Sequence, residues 1–225
     1  MALPRMLQLL DDRVRESDWF TKAITHRSAG RKNNERLEFL GDSVLSLIIA
    51  NHLFERFPDV DEGDLSRLRS HLVRGSTLSR IAGANQLGDY LKLGAGELKS
   101  GGFRRESIME DAFEAIIGAT YLVMGLDYTR DYVLSVYRDE LENLPELESL
   151  KDPKSRLQEW LQSRSFPLPE YRVLDISGKA HKQVFTAECR LSQPEVTTRA
   201  SGSSRRKAEQ AAAAKALDIV LQQSS

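Results

Sequence analysis

Three carboxylates stand at helical spacing in an apolar stretch near the start of the chain. Glu35, Glu38 and Asp42 belong to a segment that continues through the largely apolar residues 44–50. At about 100° per residue, these side chains fall within an arc of about 60° on one helix face. Like charges this close destabilise a helix, and burying them costs several kcal/mol each unless they are neutralised. Mg²⁺ would neutralise them, because it binds carboxylate oxygens and keeps water molecules for chemistry.

A second segment repeats this design. Asp111 and Glu114 stand three residues apart on one helix face, among the apolar residues Ile108, Phe113, Ile116 and Ile117. Two apolar helices with acidic stripes predict one metal site where they pack together. On spacing alone, a solvated acidic stripe with Arg36 as a local partner explains the first segment equally well.

Glu62 lies in the acidic turn 59–64 and has two interpretations. It could reach the acidic site from a third element. It could equally stabilise the positive N-terminus of the helix that follows. The sequence leaves both interpretations open.

The bulk composition predicts a folded, water-soluble chain. The 225 residues are 40% hydrophobic and 29% charged, which suits one large or two ordinary domains. Cys189 is the single cysteine, which excludes an internal disulfide and fits a reducing cytosol. Acidic residues come too early for a signal peptide, and no apolar run reaches the length of a membrane span. We therefore expect a cytoplasmic protein that does not bind membranes.

The net charge of −1 hides an asymmetry between the two parts of the chain. Residues 151–225 contain 13 Lys and Arg against 8 Asp and Glu, a balance of +5, which leaves −6 for residues 1–150. This division predicts a metal-dependent catalytic part joined to a part that binds a polyanion.

Periodicity places a domain boundary near residue 145. Residues 1–145 show no strand alternation and read as an all-α domain, whose last amphipathic helix is predicted at 127–142. Residues 146–151 read as a linker, and residues 152–225 as a smaller α+β domain. There, Asp152 caps a helix, strands follow at 170–177, from 185 and at 195–201, and a helix spans 205–222. The predicted order is α-β-β-β-α.

The last helix begins with a basic cluster. Arg205, Arg206 and Lys207 stand where the helix macrodipole is already positive, which destabilises the helix by up to about 1 kcal/mol each. Bound phosphates would resolve this conflict, because cations and helix N-termini both attract anions. Ordinary surface solubility is the alternative explanation.

These motifs resemble a known family. Residues 34–43 (NERLEFLGDS) resemble the signature of bacterial ribonuclease III, and the C-terminal part resembles a double-stranded RNA-binding domain. The resemblance covers nearly the whole chain. It includes DEGD at 61–64, GGFRRES at 101–107 and GSSRRKAEQAA at 202–212.

The resemblance implies a homodimeric, all-helical nuclease domain with one metal-dependent site per subunit. It implies that Mg²⁺, or Mn²⁺ in its place, is bound by Glu38, Asp111 and Glu114. Asp42 and Glu114 would be catalytic, and Glu35 and Glu62 would be auxiliary acids.

The implied reaction is hydrolysis of both strands of double-stranded RNA. It leaves a 5′-phosphate, a 3′-hydroxyl and a short 3′ overhang, and it processes ribosomal, messenger and transfer RNA precursors. The alternative is a non-catalytic double-stranded RNA-binding protein with structural acids. Burial of Asp111 and Glu114 beside Glu38 and Asp42 would argue against that alternative, because a pure binder has no need of it.

The resemblance also assigns contacts in the second domain. Duplex RNA is recognised by its shape, 2′-hydroxyls and phosphates, because its major groove is too narrow for side chains. Gln158, Glu159 and Gln162 would meet one minor groove, and His181 the next. The basic cluster at 205–207 would hold the phosphates between them.

Phe39 borders the acidic face, about 40° around the helix from Glu35. It could pack into its own domain, as most phenylalanines do. The dimer that the resemblance implies predicts instead that Phe39 lies in the interface between two copies.

Overall fold

A computed structural model describes residues 3–179 and 182–223 of the chain. The chain divides into two compact units, Met1–Pro145 and Glu146–Ser225. The predicted fold class is confirmed, because a helical unit is followed by a three-stranded antiparallel sheet with flanking helices.

The described part of the first unit contains helices, short 3-10 turns and one isolated parallel bridge between Thr25 and Lys92. The nine helices there are α1 (Arg5–Gln8), α2 (Asp12–Arg15), α3 (Asp18–Ala23), α4 (Glu35–Arg56), α5 (Glu62–Val73), α6 (Gly75–Ala84), α7 (Ala95–Lys99), α8 (Glu106–Val136) and α9 (Arg138–Glu142).

Helices α4 and α8 form the centre of this unit and touch through their backbones. A methyl group on Gly41 of α4 would overlap the carbonyl oxygen of Glu114 of α8. A methyl group on Gly118 of α8 would likewise overlap the carbonyl oxygen of Leu37. The crossing therefore requires glycine at both positions, and residues beside it face each other closely.

The structure corrects the end of the helix predicted at 127–142. Helix α8 breaks at Gly125, whose φ of 77° lies in the left-handed region that glycine tolerates, so a separate helical segment follows as predicted and ends at Val136. The separate helix α9 starts only at Arg138. Periodicity could not reveal this, because both parts present apolar residues to the same core.

The structure also corrects the expectation about apolar length. Helix α4 is long and apolar enough to cross a membrane by length and composition. Its residues Leu45, Ile49 and Leu53 are nevertheless buried in the core of the first unit. Packing on the side of α4 that faces the core thus explains part of its apolar composition.

The second unit packs two helices on one antiparallel sheet. Its elements are α10 (Leu147–Leu150), α11 (Pro153–Gln162), β1 (Glu170–Ser177), β2 (Val184–Ser192), β3 (Glu195–Gly202) and α12 (Arg205–Gln222). The strand order is β1-β2-β3, with Tyr171 opposite Cys189 and Cys189 opposite Thr198. The helical turn α10 lies within the segment predicted as a linker.

Small residues let α12 lie close to the sheet. Ala212, Ala213 and Ala216 are buried against a core that includes Leu157 and Leu191. The Thr198 hydroxyl donates a hydrogen bond of 2.7 Å to the carbonyl of Ala212. The Ala-rich composition thus fixes the position of the helix that begins with the basic cluster.

The close crossing leads to the first prediction. Gly41→Ala should destabilise the first unit by about 3 kcal/mol or more, because a backbone clash cannot be relieved by side-chain rotation. Gly83→Ala is the matched control, since an added methyl there meets only the Met109 methyl at 3.8 Å. It should leave stability unchanged or raise it by up to about 1 kcal/mol. Urea denaturation followed by circular dichroism checks both, and equal stability of the two variants would contradict the crossing.

Candidate functional site

The crossing of α4 and α8 brings four carboxylates into one electrostatic cluster. Glu38 and Asp42 lie on α4, and Asp111 and Glu114 lie on α8. Burial raises the pKa of Glu38, and the charges of Asp111 and Glu35 raise it further. The structure therefore assembles the acidic residues that the two sequence segments predicted.

Glu114 is the buried member of this cluster. This residue is only 8% exposed. Its carboxyl group has no hydrogen bond or ion pair with any residue that the structure describes. Burial first, and then the charges of Asp42 and Glu110, raise its pKa to about 8. A buried carboxyl group without a donor is costly to ionise. It is therefore suited to accept a counter-ion.

Glu110 is a member of the cluster that the sequence analysis missed. Burial raises its pKa first, followed by the charges of Asp111 and Asp42. Its carboxylate lies against Gly75, the first residue of α6, where a methyl group would overlap it. The positive end of a helix favours a carboxylate there. One signal was available, since Glu110 precedes Glu114 by four residues and so shares its helix face.

A cleft of about 420 Å³ opens along the acidic surface. Its acidic lining consists of Glu35, Glu38, Glu97 and Asp111. Two cations share the cleft: Arg27 lies 3.7 Å from Glu35, and Arg105 lies 3.2 Å from Glu97. The cleft can thus hold metal cations on its carboxylates and phosphate groups on its arginines.

Backbone hydrogen bonds hold Arg27 at this cleft. The His26 amide donates to the carbonyl of Lys92 at 3.0 Å, and the Gly94 amide donates to the Ser28 hydroxyl at 2.9 Å. His26 also accepts a hydrogen bond from the Ser28 amide and is buried. The segment that carries Arg27 is therefore tied to the connection before α7.

Within residues 3–179 and 182–223, no group of three Asp, Glu, His or Cys side chains is arranged to enclose a metal ion. Asp42 is exposed and Glu38 is half-buried, whereas Glu114 is buried. The carboxylates repel one another, as their raised pKa values indicate. The cluster is therefore an open acidic surface rather than a closed cage.

Two residues from the sequence analysis lie away from this cluster. The first is Arg36, which lines a different pocket. Glu35 pairs with Arg27 instead, so Arg36 is not the counter-charge of the acidic stripe. Glu62 begins α5 and accepts a hydrogen bond from the Ser66 hydroxyl at 2.8 Å. It lines a groove between α4 and α5, and one chain alone does not bring it to the acidic cluster.

The RNA-binding residues predicted on α11 lie on its surface. Gln158, Glu159 and Gln162 are exposed, and Glu159 forms an ion pair of 2.6 Å with Lys151. His181 lies outside the described residues. The predicted contacts of α11 with a minor groove thus remain sterically open.

The basic cluster at the start of α12 is exposed, and one member is paired. Arg205 Nε lies 2.8 Å from the carboxylate of Glu209, which also binds Lys154 Nζ at 2.8 Å. The side chains of Arg206 and Lys207 form no ion pair within the described part of the chain. These two cations are therefore available to a polyanion.

Phe39 does not pack into its own unit. It is 77% exposed, and Leu47 and Phe54 on the same face of α4 are 55% and 71% exposed. Residues 8 and 15 positions after Phe39 fall within about 80° of it around a helix. Together with α5, the second half of this face borders a groove of about 480 Å³. Large exposed apolar side chains grouped on one helix face mark an interaction surface.

These observations define the class of protein: a helical unit with an open acidic cluster that has one buried member, joined to a small α-β-β-β-α unit with an exposed basic helix start. Comparisons with known proteins agree. The family described as "Ribonuclease-III-like" matches residues 16–141, and the "Double-stranded RNA binding motif" matches residues 153–220.

Whole-chain relatives and a solved structure support the same assignment. Ribonuclease 3 of Nitrosococcus oceani is 55% identical over 98% of this chain and 95% of its own length. Ribonuclease 3 of Vibrio cholerae is 56% identical over 91% of both chains. The nuclease domain of Campylobacter jejuni ribonuclease III is 36% identical, with a TM-score of 0.57 over 61% of this chain and 99% of that domain.

The chain belongs to the ribonuclease III family. It is an endoribonuclease of that family with a double-stranded RNA-binding domain, as the family resemblance predicted. Membership of this family implies a divalent metal cofactor.

The raised pKa of Glu114 leads to a prediction about stability in the absence of metal. The folded chain keeps a proton on Glu114 up to about pH 8, whereas the unfolded chain loses it near pH 4.5. Stability should therefore fall as the pH rises between these values, because the folded state binds more protons than the unfolded state. Glu114→Gln removes this penalty.

In EDTA, the melting temperature of the Glu114→Gln variant should exceed that of the wild type at about pH 8.5 and match it near pH 4.5. Thermal scans across this range measure the difference. Asp127→Asn serves as a control, because it removes an exposed carboxylate from the far end of α8. A Glu114→Gln difference that does not change with pH would contradict the raised pKa.

Proposed function

We propose that this endoribonuclease depends on Mg²⁺, which Mn²⁺ can replace, and that it hydrolyses both strands of duplex RNA. The products would carry 5′-phosphate and 3′-hydroxyl ends with a short 3′ overhang. The observation that carries the proposal is Glu114, a buried carboxyl group without a donor, surrounded by other carboxylates. A divalent cation fits this set of oxygen ligands.

Glu38, Asp111 and Glu114 would hold the cation, and Asp42 would complete the catalytic acids. A metal bound by carboxylates activates a water molecule and stabilises the charge that develops on the phosphate. Glu110 would support this site, because its negative charge acts on Glu114. Glu114 must give up its proton when the cation binds, so cation binding and ionisation of Glu114 are linked.

The cleft would orient the RNA strand. Its cations, Arg27 and Arg105, stand beside Glu35, Glu38 and Asp111. Helix α8 begins at Glu106, directly after Arg105, and its positive N-terminus favours a phosphate group. These groups would position the backbone while the carboxylates hold the cation.

A second copy of the chain is the partner we propose for the exposed face of α4. Two cuts on opposite strands require two sites, and an isologous dimer supplies them at a fixed separation. The Campylobacter jejuni nuclease domain is described with a region involved in dimer formation, which supports this proposal. Glu62 lines the same groove, so it would meet the partner rather than its own acidic cluster.

The natural substrates we propose are precursors of ribosomal RNA and other structured RNAs, and the location we propose is the cytoplasm. The relatives named ribonuclease 3 support the substrate assignment. A test is the accumulation of uncut ribosomal RNA precursors in cells that lack the protein. Normal precursor levels in such cells would contradict the substrate assignment.

Glu114→Gln should lower cleavage of a labelled RNA duplex by roughly three orders of magnitude or more, because a cation ligand is lost. RNA binding should persist, since the basic cluster at 205–207 lies in the other unit. Cleavage and gel-shift assays with Mg²⁺ and with EDTA measure both properties. Asp127→Asn should cut and bind like the wild type. Normal turnover by Glu114→Gln would contradict the assigned metal site.

Phe39→Ala should weaken the dimer by about 3 kcal/mol or more, which is over a hundredfold in the dissociation constant. Each isologous interface would bury Phe39 twice. Leu98→Ala is the control, because Leu98 is also an exposed large apolar residue of the first unit but lies on α7. Analytical ultracentrifugation measures the constants. An unchanged constant for Phe39→Ala would remove Phe39 from the interface.

A further inference from the structure

A basic pocket of about 430 Å³ lies in the first unit, separate from the acidic cleft. Four cationic side chains line it: Lys22 of α3, Arg31 and Lys32 of the turn before α4, and Arg36 of α4. Trp19 of α3 forms part of its wall. We call this group of five residues the basic pocket.

The charges of the basic pocket are not balanced by protein groups. No carboxylate lines it, and in the described ranges the four cations form no side-chain hydrogen bond or ion pair. These four positive charges lie together within residues 1–150, whose net charge is −6. Cations that converge on one concave site repel one another, so the arrangement is stabilised by an anion.

The wall of the pocket adds an aromatic surface to these cations. Trp19 is 40% exposed, and the Nζ of Lys22 lies 4.2 Å from its ring centroid. An exposed indole can stack on a nucleobase, which contributes about 1–3 kcal/mol per base. Bases inside a duplex are already stacked and paired, so only an unpaired nucleotide can use this surface. Cations next to an exposed aromatic ring therefore favour single-stranded RNA.

The basic pocket and the acidic cleft meet at the start of α4. Asn33 lines the pocket and donates a hydrogen bond of 3.1 Å to the carboxylate of Glu35, which lines the cleft. Arg36, the next residue, lines the pocket. Consecutive helix residues point about 100° apart, so the two sites lie on adjoining sides of one helical turn. An RNA strand that leaves the cleft can continue into the pocket.

We infer that the basic pocket binds a single-stranded RNA segment that adjoins the duplex being cut. This inference rests on the proposed function, because the duplex must occupy the cleft. The phosphates of the unpaired segment meet Lys22, Arg31, Lys32 and Arg36, and one base stacks on Trp19. The enzyme would thus distinguish a duplex with a single-stranded extension from a blunt duplex.

Tryptophan fluorescence tests this inference on the full-length chain. The chain has two tryptophans, so Trp160→Phe leaves Trp19 as the only reporter. Glu114→Gln is added to prevent cleavage. A duplex with a single-stranded extension should quench this fluorescence in a saturable manner, whereas a blunt duplex of the same length should not. Equal quenching by both RNAs, or none by either, would overturn the inference.

Charge removal supplies the second measurement. In the chain that carries Trp160→Phe and Glu114→Gln, the added changes Arg31→Ala and Lys32→Ala should abolish the quenching. They should also weaken binding of the extended RNA by about tenfold. Binding of the blunt duplex should change by less than about twofold. The control is Arg5→Ala with Arg138→Ala, which removes two exposed positive charges of the same unit outside the pocket. An equal loss in this control would mean a general charge effect and would overturn the inference.

These outcomes are distinct from failure of the proposed function. If the duplex does not occupy the cleft, the wild type does not cut blunt RNA with Mg²⁺, although the second unit still binds it. If only the pocket assignment is wrong, the wild type binds and cuts blunt RNA, and the extension changes neither affinity nor fluorescence.

Discussion

The backbone contact between α4 and α8 is the constraint on which the nuclease unit depends. Gly41 and Gly118 allow the helices to approach until carbonyl oxygens occupy the space of the missing side chains. Side chains of α4 and α8 near this contact must therefore face each other. The carboxylates of both helices consequently share one electrostatic environment, and the pKa values of Glu38, Glu110 and Glu114 rise together.

This arrangement costs stability in the absence of a counter-ion. A buried carboxyl group with like charges around it either keeps its proton or destabilises the fold. The surrounding apolar core of α4 and α8 offsets that cost, because Leu45, Ile49 and Ile116 are fully or almost fully buried. Strain of this kind is expected where a protein binds a ligand that relieves it. The proposed divalent cation would relieve this repulsion.

Much of the fold could be predicted from the sequence because its patterns are local. The alternation from residue 185 predicted β2, and the cap Asp152 predicted the start of α11. The interruption between Val136 and Arg138 escaped prediction, since the helical segments on both sides of it present apolar residues to the same core.

The site was predictable only in part. Acidic spacing identified Glu38, Asp42, Asp111 and Glu114, whereas Glu110 was missed although its spacing from Glu114 pointed to the same face. Other features depend on tertiary contacts that no local pattern contains. The basic pocket joins residues of α3, the following turn and α4, and the exposure of Phe39 depends on what packs around α4.

The central claim is that Glu114 keeps its proton until a divalent cation replaces it. Calorimetric titration of the protein with Mg²⁺ near pH 7, in two buffers of different ionisation enthalpy, counts the protons released. With a pKa of about 8, Glu114 should release about 0.9 proton per cation bound, and Glu114→Gln should release almost none. Binding of Mg²⁺ without proton release by the wild type, or equal release by the variant, would contradict the account.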